Sequence, residues 1–514
     1  MNWKARLRDG RFRFALCFVA VFVIAGLAQF WALDRMSFHG DESAYLTMSI
    51  RATNLVLAGR WNDPQWHDNN LLGAEAPPVP LFLLGFGLRL FGIQSGEWPF
   101  WLSPNPTVPP PHVLLIGRLL ISLTAYATLF VVYFLGKELK DAKTGLIGVL
   151  LFGLNPLWLI SSRRAMTEAP AILFSTLAVL LLFTGIRKRS KKDLALCGMS
   201  LGLAINSKYN ALFLGLILVC YCCLWFAVNR RNPNSELRSV TYAAQCFASL
   251  VFPAVITTVA INPVLYPNPI VGFIDIAHFW MVGGHTNFFS SSLLDASIGI
   301  WVLAVFHVLV FPCITLLKGL WPSYNLPGYL AGAGSITTAT TSLFFVTGAT
   351  VLLARTVRSA KSSILSLRGF LLFWFVGEVI LVAATTRIAF DRYFLPVLPP
   401  LILFAALGLV WLDGGLAAKG QRLRPIRHFV VLLFLFSQVT ALLAFYPELY
   451  QNAWKEPGNV PMFGTIQQSI GRPLGQVSIL LFFAAIACTL IVLQWNSSKV
   501  TARLDVRKQP PLTS

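Results

Sequence analysis

Charged residues are scarce in this sequence, and acidic residues are the scarcest. Of its 514 residues 12% are charged, and only 21 are Asp or Glu, whereas soluble domains contain about 25% charged residues. This scarcity excludes a disordered chain and a coiled coil, which both depend on many charged positions. Apolar residues make up 56% of the chain and include 40 Phe and 15 Trp, more than one soluble core could bury. The composition therefore predicts an all-α polytopic membrane protein.

Cysteines are few, and other common signatures are missing. The eight cysteines lie in or beside apolar segments rather than in predicted external loops, so neither a disulfide framework nor a zinc site is expected. We find no glycine-rich phosphate loop and no helix-turn-helix, zinc-finger or RNA-binding signature in the sequence. The sequence therefore predicts neither a nucleotide-dependent enzyme nor a nucleic-acid partner.

The positive charge is concentrated where cytoplasmic loops are expected. The formal net charge is +20, and Lys and Arg cluster at the ends of apolar segments, as the positive-inside rule predicts for the cytoplasmic side. These basic clusters are 4–13, 187–192, 230–238, 355–368, 419–427 and 503–508. The first apolar segment, 14–33, is longer than the core of about 7–15 residues of a cleavable signal. We therefore expect a retained signal anchor, both termini in the cytoplasm and a location in a bacterial inner membrane.

Apolar segments of about 20 residues recur along the chain and predict about 11–13 spanning helices. Segment 145–160 is expected to cross the membrane in one piece, whereas 79–93 is short and bounded by proline, which favours an interfacial or re-entrant helix. The predicted parts are a transmembrane module over 1–446, an external loop over 34–111 within it, an external loop over 447–476, a last spanning helix over 477–495 and a cytoplasmic tail over 496–514.

Asp41 and Glu42 follow the first predicted spanning helix, in the segment His39-Gly-Asp-Glu-Ser-Ala-Tyr45. Apolar residues at helical spacing after them predict an interfacial helix that would hold both carboxylates near the membrane surface. Two adjacent carboxylates there suit a general base or a divalent-metal site. The alternative is a solvated acidic turn that only caps the helix. His39 and Tyr45 flank the pair and are candidate substrate contacts.

A second polar cluster lies in the short predicted external segment 161–170. Arg164 and Glu168 are four positions apart, so on a helix they would share a face and could simply pair. Alternatively, Glu168 faces the loop that carries Asp41, and Arg163 or Arg164 binds a phosphate group.

Further cations are predicted on the external side. Lys208 and Tyr209 form a predicted tight turn, and Arg387, Arg392 and Tyr393 precede a proline-rich helix start. External arginines depart from the positive-inside trend, so we expect either an anionic lipid headgroup beside them or ordinary snorkelling to the membrane surface.

Three other residues are weaker substrate-pocket candidates. His278 and His285 lie seven positions apart in one external loop, without an obvious third metal ligand. Glu378 lies inside the predicted span 369–385, where a buried acid is costly and is a functional hypothesis by default. We expect Glu378 either to pair with a neighbouring helix or to line a substrate groove.

The order and sidedness of these motifs resemble the GT-C class of polyprenyl-phosphate-sugar-dependent glycosyltransferases. The resemblance is strongest to the protein O-mannosyltransferases of glycosyltransferase family 39 and the lipid A aminoarabinose transferases, the ArnT-like proteins. It covers residues 14–220 and resumes near 370–412. Besides the Asp-Glu pair, it rests on the segments Gly117-Arg-Leu-Leu-Ile-Ser-Leu, Tyr133-Phe-Leu-Gly-Lys-Glu-Leu, Asn155-Pro, Arg163-Arg-Ala-Met-Thr-Glu-Ala-Pro, Asn206-Ser-Lys and Arg392-Tyr-Phe-Leu-Pro-Val-Leu-Pro-Pro.

The resemblance implies a GT-C-type helix bundle, with 1–446 as the catalytic module. It also implies an inverting transfer of a sugar from a polyprenyl-phosphate donor, in bacteria undecaprenyl phosphate, to a hydroxyl acceptor on protein, lipid or glycan at the extracytoplasmic face. Asp41 would be the catalytic base, Glu42 would hold the acceptor or orient the loop, and Glu168 would be the acid of the second loop. A divalent metal on Asp41 and Glu168 is left open, and no other cofactor is expected. The residues placed to bind the donor phosphate are Arg163, Arg164, Lys208, Arg387, Arg392 and Tyr393.

A secondary transporter or lipid flippase without glycosyl transfer is the alternative function. In that case Glu378 and the external arginines would line a substrate path. Against it, the sequence shows no pair of matching halves such as many transporters have, and the external loop 34–111 is long for a simple carrier.

Overall fold

The computed structural model describes residues 10–31, 33–36, 38–67, 76–98, 107–230, 240–266, 268–278, 347–350, 367–385 and 395–418. Within these residues all regular structure is helical, and no strand is present, which confirms the all-α prediction. The loop predicted at 447–476, the helix at 477–495 and the tail at 496–514 lie outside the described residues and remain predictions.

The helices of the described residues are numbered here along the chain. They are α1 (Gly10–Phe30), α2 (Gly40–Leu57), α3 (Pro78–Leu90), α4 (Pro111–Leu139), α5 (Ala142–Gly153), α6 (Pro156–Ser162), α7 (Glu168–Lys188), α8 (Lys191–Ile205), α9 (Leu212–Arg230), α10 (Val240–Ile261), α11 (Pro269–His278), α12 (Leu367–Thr385) and α13 (Leu398–Ala418). Short 3-10 turns lie at Leu33–Arg35, Pro64–Trp66, Tyr209–Ala211 and Pro263–Leu265.

Five helical segments of the described residues are long and apolar enough to cross a membrane. They are Pro111–Leu139, Glu168–Lys188, Tyr209–Ala227, Ala244–Ile261 and Leu395–Leu416. Shorter apolar helices accompany them at Phe14–Phe30, Pro78–Leu90 and Ala142–Gly153. The protein is therefore an integral membrane protein, as its composition predicts.

The prediction of one uninterrupted helix over 145–160 is wrong, because two helices occupy this segment. Helix α5 ends at Gly153, and α6 begins at Pro156. Asn155 lies between them and caps α6, since its side-chain oxygen accepts a hydrogen bond from the backbone N–H of Trp158 at 3.1 Å. Proline has no N–H to donate and fits the first position of a helix better than its interior, so the Asn-Pro dipeptide ends one helix and starts the next.

Helix α4 runs through the middle of the described bundle and packs against both α5 and α7. Ile121, Ala125, Leu129 and Val132 on α4 are almost completely buried. Their spacing of three and four places them on one face of the helix. The long central helix therefore supplies the framework to which the other segments attach.

Helices α8 and α10 approach closely because two glycines line their contact. Gly198 and Gly202 on α8 face the backbone of α10 at Leu250 and Ala254, and a Cβ atom on either glycine would collide with a carbonyl oxygen there. Small residues four positions apart are a common means of close packing between membrane helices. This contact fixes the end of α8 beside the end of α10.

The two ends of the bundle carry different residues. At one end, here named the Asp41 end, α2, α3 and segment 263–276 form a small second core. Its buried residues are Ala52, Leu55, Trp66, Ala76, Leu81, Val264, Leu265 and Ile276. At the opposite end, here named the basic end, the ion pairs Arg187–Glu138 and Lys143–Asp413 join neighbouring helices. The basic cluster 187–192 therefore lies at the opposite end of α7 from Glu168.

Candidate active site

The predicted acidic pair lies in the first turn of α2. The helix begins after His39, whose Nδ1 accepts the backbone N–H of Asp41 at 3.2 Å. The backbone N–H of His39 in turn donates to Oε2 of Glu42 at 3.1 Å. These two bonds satisfy N–H groups that a helix start leaves without partners. The positive end of the helix dipole also favours carboxylates at this position.

Glu42 is held by Arg118 of helix α4 in a buried two-point ion pair. Nε of Arg118 donates to Oε1 at 2.8 Å, and Nη2 donates to Oε2 at 2.8 Å. The remaining nitrogen, Nη1, donates to the carbonyl oxygens of Leu33 and Met36, each at 2.9 Å. Arg118 therefore fixes both the segment that follows α1 and the start of α2. Such planar two-point contacts are specific to arginine.

The environment of Glu42 keeps it ionised. Burial raises the pKa of this carboxyl, but the hydrogen bonds and charge of Arg118 outweigh burial, and the charge of Arg164 and the N–H of Ala165 add to them. The net result is a pKa of Glu42 below its ordinary value of 4.5. The Ala165 N–H donates to Oε1 at 3.1 Å, so Glu42 also fixes the 163–167 loop. This geometry favours the role of orienting the loop over that of holding an acceptor.

Asp41 differs from its neighbour in exposure. Its side chain is 23% exposed, and its Oδ2 lies 3.8 Å from Nδ1 of His39, whereas Glu42 is completely buried. A carboxylate that accepts several N–H donors and has no surface cannot readily reach a substrate proton, whereas a partly exposed one at a rigid helix start can. Of the two acids, Asp41 is therefore the more accessible to a substrate.

The 163–167 loop is fastened to the end of α1. Gln29 and Ser162 exchange two hydrogen bonds, Nε2 to the Ser162 carbonyl at 3.3 Å and Ser162 Oγ to Oε1 at 3.2 Å. Arg163 is buried and donates to the carbonyl of Trp31. Residues 163–167 are not helical, so Arg164 and Glu168 do not share the helix face that their spacing predicted.

Glu168 is the first residue of α7 and pairs with Lys208. Nζ of Lys208 lies 2.9 Å from Oε1 of Glu168, and their side chains are 14% and 2% exposed.

Glu168 and Lys208 line a small recess together with Glu378. The other residues of its wall are Ala171, Ile172, Ser175, Asn210, Ala211, Leu395 and Pro396. Oε2 of Glu378 is buried and has no hydrogen-bond partner among the described residues. The structure therefore brings three predicted site residues from α7, the 206–211 turn and α12 into one recess.

The Lys208 turn is positioned by two buried asparagines. Asn206 donates to the carbonyl of Thr258 at 3.0 Å, and Asn262 donates to Oδ1 of Asn206 and to Oη of Tyr209, both at 3.3 Å. The carbonyl of Asn206 accepts the N–H of Val79 at 2.9 Å, which attaches α3 to the same turn. Tyr209 contacts both hydrophobic cores. The network therefore joins the start of α3 to the residues beside Lys208.

The other predicted residues fall into two groups. Tyr45 lies on α2 and contacts both cores, and His278 is the last residue of α11. His285, Arg387, Arg392 and Tyr393 lie outside the described residues, although Leu395 and Pro396, which follow them in the chain, line the recess. No three His, Cys, Asp or Glu side chains of the described residues converge into a metal site.

Sequence reasoning assigned no role to Arg118, Asn206 or Asn262. A signal for Arg118 was available, because a cation inside a predicted spanning segment needs a partner or an aqueous path. The asparagines carried no comparable signal, since both lie at helix ends, where asparagine is common for local reasons.

Comparison with known proteins relates this geometry to a family. Residues 43–263 match the model of the family described as dolichyl-phosphate-mannose-protein mannosyltransferase. This region includes Glu168 and Lys208, and it begins one residue after Glu42. No curated protein matches the sequence.

Solved structures share the fold at low sequence identity. The oligosaccharyltransferase AglB from Archaeoglobus fulgidus, in complex with an inhibitory peptide and a dolichol-phosphate, is 16% identical with a TM-score of 0.52, over 88% of this chain and 59% of that one. Apo ArnT from Cupriavidus metallidurans is 17% identical with a TM-score of 0.52, over 89% of this chain and 78% of that one. The chain thus spans about three fifths of the archaeal protein's length. The chain has the GT-C fold, and these findings confirm its resemblance to the GT-C glycosyltransferases.

Proposed function

We propose that the protein transfers a sugar from a polyprenyl-phosphate-linked donor to a hydroxyl acceptor at the extracytoplasmic face of a bacterial inner membrane. The observation that carries the proposal is the position of Asp41. It stands partly exposed on a helix start fixed by Glu42 and Arg118, at the same end of the bundle as the Lys208–Glu168 pair. The family match and the dolichol-phosphate bound by the archaeal neighbour support a lipid-phosphate donor.

In the proposed reaction Asp41 accepts the proton of the acceptor hydroxyl. The hydroxyl oxygen then forms a bond to the anomeric carbon of the sugar while the bond from that carbon to the phosphate oxygen breaks. The electron pair of the broken bond leaves with the lipid phosphate, and this single displacement inverts the configuration of the sugar. A positioned general base contributes about 10²–10⁴-fold in rate, which sets the scale expected for Asp41.

Lys208 is assigned to the departing phosphate. The leaving group gains negative charge as the bond breaks, and a cation already in place stabilises that charge without reorganisation. Glu168 holds Nζ of Lys208 at 2.9 Å in the recess, so the ammonium is positioned before the donor arrives. Arg164, Arg387, Arg392 and Tyr393 are proposed as further phosphate contacts, and the buried Arg163 supports the loop.

The test is the substitution Asp41→Asn in the full-length protein, measured by transfer of a radiolabelled sugar from a synthetic polyprenyl-phosphate donor. We expect transfer to fall at least about 100-fold, with donor binding unchanged. Asp34→Asn is the matched control, because Asp34 is an exposed acid on the same predicted loop. Full turnover in Asp41→Asn would remove the proposed base, and equal loss in both variants would show a general effect of charge.

A further inference from the structure

A second cavity lies at the basic end of the bundle, far from the Asp41 site. It has a volume of about 300 Å³ between the ends of α7, α8, α9 and α10, the lower limit of the range of about 300–1,000 Å³ typical of small-molecule sites. Its wall is largely apolar and includes Leu182, Leu194, Trp225 and Leu250. Among the described residues, Arg189 is the one charged side chain in its wall. We name this cavity the basic groove.

The groove has one charged rim and an apolar interior. Arg189 terminates α7 in a left-handed conformation, with φ of 53°, and is exposed. Leu182 lies seven residues earlier on the same helix, and seven residues of α-helix span about 10 Å. The groove therefore extends about 10 Å from its cation into the apolar part of the bundle, a depth suited to part of a lipid tail.

The surroundings of the rim are strongly basic. Lys188, Lys191 and Lys192 are exposed beside Arg189, and Asp193, half-buried on the first turn of α8, is the acid next to them in the chain. A neutral lipid would satisfy the apolar wall equally well, so the charge of the rim decides the headgroup. Basic pockets between transmembrane helices bind anionic lipid headgroups in this way.

We propose that the basic groove binds an anionic phospholipid of the adjacent leaflet, with one acyl chain between α7 and α10 and the phosphate beside Arg189. The site is independent of the proposed sugar transfer, because it lies at the opposite end of α7 from Glu168. Three free cysteines, Cys222, Cys223 and Cys246, line the groove and provide chemical probes of its occupancy. Cys17 and Cys220 are exposed and outside the groove, so they serve as internal references.

The experiment compares full-length protein in vesicles of phosphatidylcholine alone and of phosphatidylcholine with 30% phosphatidylglycerol. A membrane-soluble maleimide labels the thiols, and mass spectrometry of peptides gives the labelling rate of each cysteine. We expect phosphatidylglycerol to slow the labelling of Cys223 and Cys246 at least about threefold relative to Cys17 and Cys220. The references correct for the lower surface pH of anionic vesicles, which slows every thiol.

The role of Arg189 at the rim is tested in the same labelling assay. Arg189→Gln should abolish the protection, Arg189→Lys should retain most of it, and Lys188→Gln should change it little because Lys188 does not line the groove. All three variants keep a non-glycine residue at these positions, so the cost of the left-handed backbone at 189 is unchanged. Equal labelling in the two vesicle types, or equal protection in Arg189→Gln, would overturn the proposal. Slow labelling in both vesicles would show that protein, rather than an anionic lipid, covers the groove.

Discussion

Two acid–base pairs at the Asp41 end differ in how far they are exposed. Glu42 and Arg118 form two mutual hydrogen bonds and five further bonds with backbone groups around them. Glu168 and Lys208 form one ion pair at 2.9 Å, in the wall of a recess, with Lys208 partly exposed. The first pair therefore holds the start of α2 against α4. The second lies in the wall of a recess, where a ligand can reach the partly exposed Lys208.

The comparison predicts that Arg118→Ala has the largest effect on stability. Removing one partner of a buried ion pair leaves an uncompensated charge and costs about 3–5 kcal/mol, so we expect a large fall in Tm and poor yield of the purified protein. Arg187→Ala is the control, because Arg187 belongs to an exposed pair with Glu138, and exposed pairs contribute about 0–1 kcal/mol. Equal effects of the two variants on Tm would contradict the role of Arg118 in holding α2 against α4.

The same pair predicts how stability depends on pH. The pKa of Glu42 is lower in the folded protein than its ordinary value of 4.5, so its contribution is fully present above about pH 4.5 and is lost as pH falls through the lower folded value. We therefore expect the Tm difference between wild type and Glu42→Gln to be constant from pH 8 to 5 and to shrink only in stronger acid. A difference that shrinks between pH 8 and 6 would indicate that another group titrates.

Lys208→Gln is expected to affect donor use more than stability. The loss of a charge-assisted contact to phosphate costs about 1.5–3 kcal/mol, which corresponds to a rise of about 10- to 100-fold in the KM for the lipid donor. Because the variant leaves Glu168 without its cation, the double variant Glu168→Gln/Lys208→Gln is measured beside it. We expect the double variant to recover Tm but not donor KM. Recovery of both would show that the pair is only structural.

Asn262→Ala should have a moderate effect on the Lys208 turn and on the neighbouring 263–265 turn, which the Asn262 side chain caps. It removes the hydrogen bonds to Asn206 and Tyr209, each worth about 0.5–1.5 kcal/mol. We expect donor KM to rise several-fold with kcat nearly unchanged, and a small fall in Tm. Asn54→Ala, on the exposed side of α2, is the control. A fall in kcat without any change in KM would argue against positioning through Lys208.

Glu378→Gln should have the smallest effect if the protein is a transferase. The substitution keeps the size of a buried residue in the wall of the recess and replaces one carboxyl oxygen with an NH2 group, and changes that conserve volume are tolerated best. We expect sugar transfer within about threefold of wild type. If Glu378→Gln instead abolished flux of a solute in liposomes, the transporter alternative would gain support.

Much of the candidate site could be predicted from the positions of the rare polar residues in an apolar chain. Asp41, Glu168 and Lys208 were predicted because an acid or cation beside a spanning segment is costly and therefore informative. The difference in burial between Asp41 and Glu42 was not accessible in that way. It depends on Arg118, which lies 76 positions from Glu42 in the chain, and adjacent acids look alike until one of them acquires such a partner.

The sequence by itself determined that the chain is helical, lies in a membrane and carries its motif acids and Lys208 at segment ends. Composition and spacing are local properties, and the bilayer converts them directly into helices of a given length. Only the tertiary structure decided that Asn155 separates two helices, that Glu42 is buried against Arg118 while Asp41 stays partly exposed, and that Glu378 shares a recess with Glu168 and Lys208. These outcomes depend on contacts between distant segments, because the packing of several helices, rather than the pattern of one, sets which polar groups meet.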